Sequence, residues 1–180
     1  MKNAIRITSG KLRGREILTP GEGTHPMGDR EKLALFNMLT GRIEGARVLD
    51  AFAGSGALGI EALSRGAKEV VFVEKSPRAV RVIKDNLAKL DLIEHTEIIA
   101  CDVLNYTPSQ PFDVILADPP YDNFNLSELQ ELYKMMTDDG ILVLSHPEFE
   151  RLKIPLLNGL TPDKTRKYAR ACLTFYSKNA

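Results

Sequence analysis

The sequence predicts an α/β fold: a mostly parallel sheet of seven strands with an antiparallel last strand, covered by helices on both faces and preceded by a β-hairpin. Two observations lead to this prediction. From position 47 onward, apolar runs of strand length alternate with amphipathic stretches of helix length, and this alternation is typical of parallel sheets with right-handed crossovers. The strands are also continuous apolar runs, as expected where helices cover both faces.

The first 25 residues are predicted to form a basic hairpin extension of a single domain whose core is residues 26–180. Strands at Ala4–Thr8 and Arg15–Leu18 flank Ser9–Gly14, a segment with two glycines and two basic residues. Up to position 15 there are five basic residues and no acidic one, although the whole chain has no net charge. This local positive charge fits an anionic partner such as nucleic acid, and it fits a solvated surface strand equally well.

The core is predicted to alternate between helices and strands. A first helix is expected to begin with Asp29 as its N-cap and to stop at Gly41. The following strands are expected at Arg47–Asp50, Glu69–Val73, Glu97–Ala100, Phe112–Ala117 and Gly140–Ser145, and the helical segments at Leu58–Arg65, Pro77–Leu90, Val103–Tyr106 and Leu126–Met136. Asp163–Tyr168 and Ala171–Tyr176 are expected to close the sheet edge as an antiparallel pair.

Composition limits the class of protein. The chain is 43% hydrophobic and 27% charged, which is ordinary for a globular domain. No apolar stretch approaches the roughly 20 residues that span a bilayer. Cys101 and Cys172 cannot form a disulfide framework, so a reducing, cytoplasmic compartment is expected. The three histidines show no metal-ligand spacing, so no metal is expected.

A glycine-rich turn directly follows the first core strand. Gly54, Gly56 and Gly59 match the dinucleotide fingerprint, with Glu74 about twenty residues further on. Asp50 disfavours a dinucleotide, because a carboxylate at the end of the strand would repel a pyrophosphate but would attract the sulfonium and ammonium of S-adenosylmethionine. Glu74 could accept from ribose hydroxyls, and Asp102 could accept from an adenine amino group. S-adenosylmethionine is therefore the predicted cofactor.

A second motif, Asp118-Pro119-Pro120-Tyr121, follows the fourth strand at the same predicted edge of the sheet. Two consecutive prolines restrict the backbone, so the loop is expected to hold the Asp118 carboxylate and the Pro119 carbonyl as fixed acceptors. Acceptors that bind both N–H groups of an aryl amine favour a pyramidal nitrogen and aim its lone pair at a methyl group. Tyr121 would stack on the base, and stacking is worth about 1–3 kcal/mol. The motif predicts methyl transfer to a nucleobase amine.

Together these motifs resemble those of class I, three-layer Rossmann-like methyltransferases that act on amines. Over nearly its whole length the sequence is similar to the bacterial 16S ribosomal RNA guanine-N2 methyltransferase family, small-subunit methyltransferase D. The similar segments follow one another along the chain as Arg6–Arg15, Pro26, Asp29-Arg30, Leu35–Asn37, Asp50–Gly59, Glu61–Ala67, Val73–Lys75 and the closing Lys167-Tyr168 to Phe175-Tyr176.

The resemblance implies methylation of N2 of one guanine in 16S rRNA, conventionally numbered 966, by a monomer that acts on the small ribosomal subunit or an assembly intermediate. It implies a catalytic loop of Asp118, Pro119, Pro120 and Tyr121. The implied cofactor-binding residues are Asp50, Phe52, Gly54, Ser55, Gly56, Glu74, Lys75, Asp102 and Val103. The implied RNA-binding residues are Arg6, Lys11, Arg13 and Arg15, and Arg30 is a further candidate for contact with a substrate phosphate. For Arg30, pairing with an acid is an equally good interpretation.

Three segments depart from the usual pattern of that family. His25-Pro26-Met27-Gly28 stands where Arg-Pro-Thr-Thr is usual, Glu31-Lys32 where Val-Arg is usual, and Ala169-Arg170 where Gly-Asp or Gly-Asn is usual. The first two segments lie in a region that is expected to border the substrate.

Other functions stay open from the sequence. The tetrapeptide suits any comparable amine, so adenine N6 in DNA or RNA, a small molecule and a glutamine side chain are alternative substrates. Asp50 disfavours a dinucleotide-dependent oxidoreductase. The intact acids and tetrapeptide disfavour an RNA-binding assembly protein with a degenerate cofactor site.

Overall fold

The computed structural model describes residues 4–21, 27–121, 126–147, 160–168 and 171–178. His25, Pro26 and the Ala169-Arg170 turn, which the resemblance singled out, lie outside the described residues. The strands are β1 (Ala4–Arg6), β2 (Glu16–Leu18), β3 (Arg47–Asp50), β4 (Glu69–Val73), β5 (Thr96–Ile99), β6 (Phe112–Ala117), β7 (Met136–His146), β8 (Leu160–Lys167) and β9 (Cys172–Lys178). The helices are α1 (Asp29–Met38), α2 (Ala57–Ser64), α3 (Pro77–Lys89) and α4 (Leu126–Lys134), with short 3-10 turns at Ile93–His95 and Val103–Asn105.

Seven strands form one sheet in the order β5-β4-β3-β6-β7-β9-β8. The strands β3 to β7 pair in parallel, and β9 is antiparallel to its two neighbours, β7 and β8. The chain order runs outward from β3 on one side and from β6 on the other, so a crevice opens at the carboxyl ends of these two strands. The predicted fold is confirmed, including the separate two-stranded hairpin of β1 and β2.

Side chains of the central strands alternate between two apolar clusters, one on each face of the sheet. Val48, Val70 and Phe72 share a cluster with α1, α2 and α3, whereas Leu49 and Val71 share the other with α4. Because both faces are covered, the strands are continuously apolar in sequence. Among the described residues, no helix combines the length and the hydrophobicity needed to cross a membrane.

A buried carboxylate on α2 attaches the N-terminal hairpin to the sheet. Glu61 is fully buried and accepts hydrogen bonds from the Thr8 amide (2.8 Å), the Thr8 hydroxyl (2.7 Å) and the Ser9 amide (3.0 Å). The Arg65 guanidinium also donates to Glu61 at 2.9 Å. The strand predicted to reach Thr8 therefore ends at Arg6, because the Thr8 amide binds Glu61 instead of a strand.

The same helix contacts the turn of the hairpin through Ser64. Its hydroxyl donates to the Ser9 carbonyl at 2.6 Å, and its carbonyl accepts from the Lys11 amide at 2.7 Å. Gly10 has a φ of 80°, and a Cβ there would lie 1.8 Å from the Ser64 carbonyl oxygen. Only glycine fits this approach of the hairpin to α2.

Two further buried polar side chains hold the hairpin. Lys32 is 1% exposed, and its Nζ donates to the Arg6 carbonyl at 2.7 Å and lies 3.9 Å from the Glu61 carboxylate. Lys32, one of the departures from the family pattern, therefore makes a buried contact, although its segment was expected to border the substrate. Asn86 on α3 is fully buried, accepts from the Leu18 amide at 2.8 Å and donates to the Leu18 carbonyl at 2.9 Å.

Several element boundaries differ from the prediction, most of all the starts of β7 (Met136 instead of Gly140) and β8 (Leu160 instead of Asp163). Gly28, in extended conformation, is the N-cap of α1, and Asp29 is the first helical residue. At this position the negative charge of Asp29 interacts favourably with the positive end of the helix dipole, although its side chain makes no capping hydrogen bond. The helix expected to reach Met136 ends at Lys134, because Met136 pairs with Phe112 as the first residue of β7.

We expect Glu61→Ala to reduce the free energy of unfolding by about 3–5 kcal/mol, because it removes the acceptor of the Thr8 and Ser9 amides and of Arg65, and with it the negative charge beside the buried Lys32. Chemical unfolding monitored by circular dichroism measures this loss. Glu16→Ala is the control, because the Arg6–Glu16 pair is 3.3 Å long with both side chains more than half exposed; such a pair is worth about 0–1 kcal/mol. Equal losses in the two variants would contradict a structural role for Glu61.

Candidate active site

Four carboxylates follow the parallel strands at one edge of the sheet. Asp50 is the last residue of β3, Glu74 follows β4, Asp102 comes after β5, and Asp118 follows β6. In the strand register, Glu74 and Asp118 each lie two residues beyond the partner of Asp50 on either side. The structure therefore brings the predicted acids together around the crevice between β3 and β6.

The turn after β3 depends on two glycines in the left-handed region. Gly54 has a φ of 54° and Gly56, the N-cap of α2, a φ of 80°. The Gly54 amide donates to Glu74 Oε2 at 2.8 Å, and the other oxygen of Glu74 accepts from the Ser76 amide at 2.7 Å. Among the described residues, a Cβ at Gly54 would meet only the Phe52 carbonyl, 4.0 Å away. The turn therefore leaves room for a ligand against its backbone.

The third glycine of the motif seats α2 on the sheet. A Cβ at Gly59 would lie 2.3 Å from a ring carbon of Phe72 and 2.8 Å from a methyl group of Val70. The Gly59 amide donates to Asp50 Oδ2 at 2.9 Å. This contact requires α2 to lie close to β3 and β4, which a larger residue would prevent.

Asp50 is 1% exposed, so its carboxylate is largely removed from water. Burial raises the pKa of Asp50 from 3.8 to about 7; the Gly59 hydrogen bond opposes the rise, and the negative charges of Asp118 and Glu74 add to it. The ionised form of this carboxyl is therefore unfavourable without a nearby positive charge. A cationic ligand in the crevice would favour that form.

The third acid already has structural partners. Asp102 caps the 3-10 turn at Val103–Asn105: its Oδ1 accepts from the Leu104 amide at 3.1 Å, and its Oδ2 lies 3.3 Å from the Nζ of the exposed Lys75. Val103 is buried in the apolar cluster that α4 shares. Among the residues described, no group of His, Cys, Asp and Glu side chains is arranged to hold a metal ion.

Two buried contacts at the site were missed by sequence reasoning. The Asn86 side chain that holds Leu18 also donates to the Ser55 carbonyl at 3.0 Å, so the hairpin and the glycine turn share one connector. The Ser145 hydroxyl lies 2.8 Å from the Tyr121 phenol oxygen, and its interaction with the Asp118 carboxyl lowers the pKa of that acid. Ser145 could have been found from its place at the end of a predicted apolar strand, the criterion that identified Asp118.

The loop after β6 presents an acid and a ring at the crevice. Burial raises the pKa of Asp118 from 3.8 to about 6, and the hydrogen bond with Ser145 opposes this rise. Pro119 is buried and Pro120 is exposed. Tyr121 is 39% exposed although its hydroxyl is bonded, so part of its ring is accessible.

The five predicted RNA-binding residues all have exposed side chains, namely Arg6, Lys11, Arg13, Arg15 and Arg30. Arg6 pairs with Glu16 at 3.3 Å, and Arg15 donates to the Lys89 carbonyl at 3.4 Å. Lys11 and Arg13 lie in the turn of the hairpin. These positions are compatible with contact to an extended anionic partner.

The strand order, the glycine turn and the carboxylates at the strand ends define a methyltransferase of Rossmann-like fold. The structure resembles that of the "Putative methyltransferase yhhF" from Escherichia coli, with a TM-score of 0.85, 27% identity and 99% of each chain covered. It also resembles the "putative methylase HI0767" from Haemophilus influenzae, with a TM-score of 0.79, 32% identity and coverage of 99% of this chain and 100% of that one.

The model of the family described as "Conserved hypothetical protein 95" matches residues 5–177, and the chain belongs to this family. The "Putative rRNA methyltransferase YlbH" of Bacillus subtilis is 38% identical over 97% of this chain and 99% of its own length. The "Ribosomal RNA small subunit methyltransferase D" of Haemophilus influenzae is 44% identical over 71% of this chain and 68% of its own length. The resemblance stated from the motifs is thus confirmed at the level of the family.

We expect Asp50→Asn to change how stability depends on pH. Because the pKa of Asp50 is raised on folding from 3.8 to about 7, the stability due to its neutral form is complete below pH 3.8 and is lost as the pH rises through about 7. The variant has no such loss, so the free energy of unfolding of the ligand-free wild type should fall relative to it by roughly 2–4 kcal/mol between pH 4 and 8. Denaturant unfolding across this range measures the difference.

The control for this prediction is Asp138→Asn, because the Asp138 side chain is fully exposed. Its unfolding free energy should run parallel to that of the wild type at every pH. Parallel curves for Asp50→Asn and the wild type would contradict the assigned environment of Asp50.

Proposed function

We propose that this methyltransferase transfers a methyl group from S-adenosylmethionine to the exocyclic N2 amine of a guanine in 16S rRNA. The observation that carries the proposal is the position of the Asp118–Tyr121 loop, which follows β6 beside Asp50 and the glycine turn. One crevice would then hold the methyl donor and the acceptor amine next to each other. Relatives named as small-subunit rRNA methyltransferases support rRNA as the substrate.

The residues around the glycine turn fit S-adenosylmethionine in charge and space. When bound, this cofactor supplies an electrophilic methyl group on a positively charged sulfur. Asp50 would gain the positive charge that its buried carboxylate lacks. Each oxygen of Glu74 accepts one backbone amide, and a carboxylate offers about four lone-pair sites, so Glu74 can still accept from ribose hydroxyls. The open space at Gly54 admits a ligand against the backbone.

The proposed cofactor site continues along the ends of β4 and β5. Asp102 has one partner on each oxygen and keeps lone pairs that could accept from an adenine amino group. The other proposed contacts come from Phe52, Ser55, Gly56, Lys75 and Val103.

The catalytic loop fits an amine that carries two hydrogens. Asp118 and the Pro119 carbonyl would accept one N–H each and so direct the nitrogen lone pair toward the methyl group. Correct alignment of reacting groups is worth about 7–11 kcal/mol, so Asp118 need not be a strong base. It could accept the proton that the nitrogen releases after the transfer. The accessible ring of Tyr121 would stack on the base.

The substrate test is transfer of labelled methyl from S-adenosylmethionine, followed by identification of the modified nucleoside. The substrates are naked 16S rRNA, small ribosomal subunits that lack the modification, and duplex DNA. N2-methylguanosine in either RNA substrate would support the proposal, and the two RNA arms together would show whether bound ribosomal proteins are required. N6-methyladenine would show that the substrate is adenine and not guanine. No transfer in any arm would overturn the proposal.

We expect Asp118→Ala to reduce methyl transfer by at least about 100-fold, because the amine loses its charged acceptor. Cofactor affinity, measured by calorimetry, should stay within about three-fold, since Asp118 holds the amine and not the cofactor. Asp138→Ala, at a fully exposed site, is the control and should transfer normally. Undiminished turnover in Asp118→Ala would remove Asp118 from the reaction.

We expect the double variant Lys11→Ala, Arg13→Ala to weaken rRNA binding because two exposed cations of the hairpin are lost. The slope of log affinity against log salt concentration should decrease in magnitude by about 0.7–0.9 for each lost phosphate contact. Filter binding over a salt series measures the slope. Lys134→Ala, at the exposed end of α4, should leave it unchanged; an unchanged slope in the double variant would exclude these contacts.

A further inference from the structure

Ser145 lies between the two functional side chains of the catalytic loop. It is the next-to-last residue of β7 and 2% exposed. Because Leu144 pairs with Ala117, Ser145 comes opposite Asp118 and both side chains point to the same face of the sheet. Its hydroxyl lies 2.8 Å from the Tyr121 phenol oxygen, and a hydrogen bond with this hydroxyl lowers the pKa of the facing Asp118 carboxyl.

The direction of these two hydrogen bonds follows from the chemistry of the groups. An ionised carboxylate can only accept, and a serine hydroxyl has one hydrogen to donate. When Asp118 is ionised, a hydrogen bond between these two side chains therefore requires Ser145 to be the donor. The same oxygen then accepts from Tyr121, so the order is Tyr121 O–H to Ser145 O–H to Asp118.

This order has a consequence at each end. In this order Ser145 would take one acceptor position of Asp118 and leave the remaining lone pairs of the carboxylate for a substrate amine. Tyr121 is held at its hydroxyl while part of its ring is accessible. The loop is thereby fixed by its prolines at one end and by the tyrosine hydroxyl at the other.

We propose that Ser145 is a positioning residue for methyl transfer, which orients the Asp118 carboxylate toward the substrate amine and tethers Tyr121 as a stacking platform. The role in transfer rests on the proposed function, whereas the hydrogen-bond order does not. Ser145 makes no bond to the reacting atoms itself; it acts through Asp118 and Tyr121.

The effect of Ser145 can be separated from those of neighbouring charges. Asp118 shares the crevice with Asp50 on β3. The negative charges of Glu31 on α1 and Cys172 on β9 act on Tyr121 and raise its pKa. The hydrogen bond with Ser145 lowers the pKa of Asp118 against the effect of burial. Replacing Ser145 leaves the neighbouring ionisable groups in place, so a change at Asp118 reports the lost hydrogen bond.

The first measurement needs neither substrate nor cofactor. Carboxyl-carbon NMR titration of Asp118 in the wild type, Ser145→Ala and Ser145→Thr gives its pKa in each. We expect a higher pKa in Ser145→Ala and a value close to the wild type in Ser145→Thr, which keeps the hydroxyl. An unchanged pKa in Ser145→Ala would overturn the hydrogen-bond order, whatever the protein methylates.

The second measurement is steady-state methyl transfer on the substrate that the wild type modifies. Ser145→Ala should lower kcat roughly 10- to 100-fold, a cost comparable to a misplaced reacting group. The acidic limb of its pH–rate profile should move to higher pH, because activity requires ionised Asp118. Ser145→Thr should recover most of kcat, and Ser177→Ala on β9, outside the crevice, is the matched control.

Tyr121→Phe tests the tether separately and keeps the proposal testable if Ser145→Ala fails to fold. It keeps the ring and the Ser145–Asp118 bond, so KM should rise several-fold while the acidic limb stays in place. The proposal would be overturned if Ser145→Ala had the kcat, KM and pH profile of the wild type. An unchanged KM in Tyr121→Phe would overturn it as well. Failure of the wild type to methylate rRNA would contradict the proposed function alone, because the NMR titration is independent of it.

Discussion

The close seating of α2 on the sheet is the constraint on which the rest of the site depends. Gly59 allows α2 to contact Phe72 at a distance that no side chain would permit, and from there its amide reaches Asp50. The same helix carries Glu61, which holds the hairpin by its backbone. One helix of eight residues thus positions both the turn proposed to bind the cofactor and the segment proposed to bind RNA.

Buried carboxylates give the crevice its chemical character. Burial raises the pKa of both Asp50 and Asp118, and the negative charge of Asp118 adds to the rise at Asp50. Ionised Asp50 is poorly stabilised without positive charge, which a positively charged methyl donor would supply. The same arrangement that weakens the ligand-free protein at neutral pH therefore favours a cationic ligand, so stability and binding are opposed at Asp50.

The hairpin and the glycine turn are joined through buried polar groups rather than through apolar packing alone. Asn86 bonds Leu18 in the hairpin and Ser55 in the turn with one side chain. Buried polar groups that are fully paired define a single arrangement more strictly than apolar contacts do, because any displacement leaves a donor or acceptor unpaired. A fixed relation between the segments proposed to bind RNA and the cofactor would suit an enzyme that must align two ligands.

The sequence by itself determined the order of strands and helices, the glycine turn and the Asp-Pro-Pro-Tyr loop, because periodicity and turn chemistry act over a few residues. It also predicted that Asp50, Glu74 and Asp118 would meet, since parallel strands end at one edge. Only the tertiary structure decided the roles of Ser145, Asn86 and Glu61, whose partners are 24, 68 and 53 residues away in the chain. Those bonds, like the pairing of Met136 with Phe112 that shortened α4, depend on which distant segments pack together, and no local pattern specifies that.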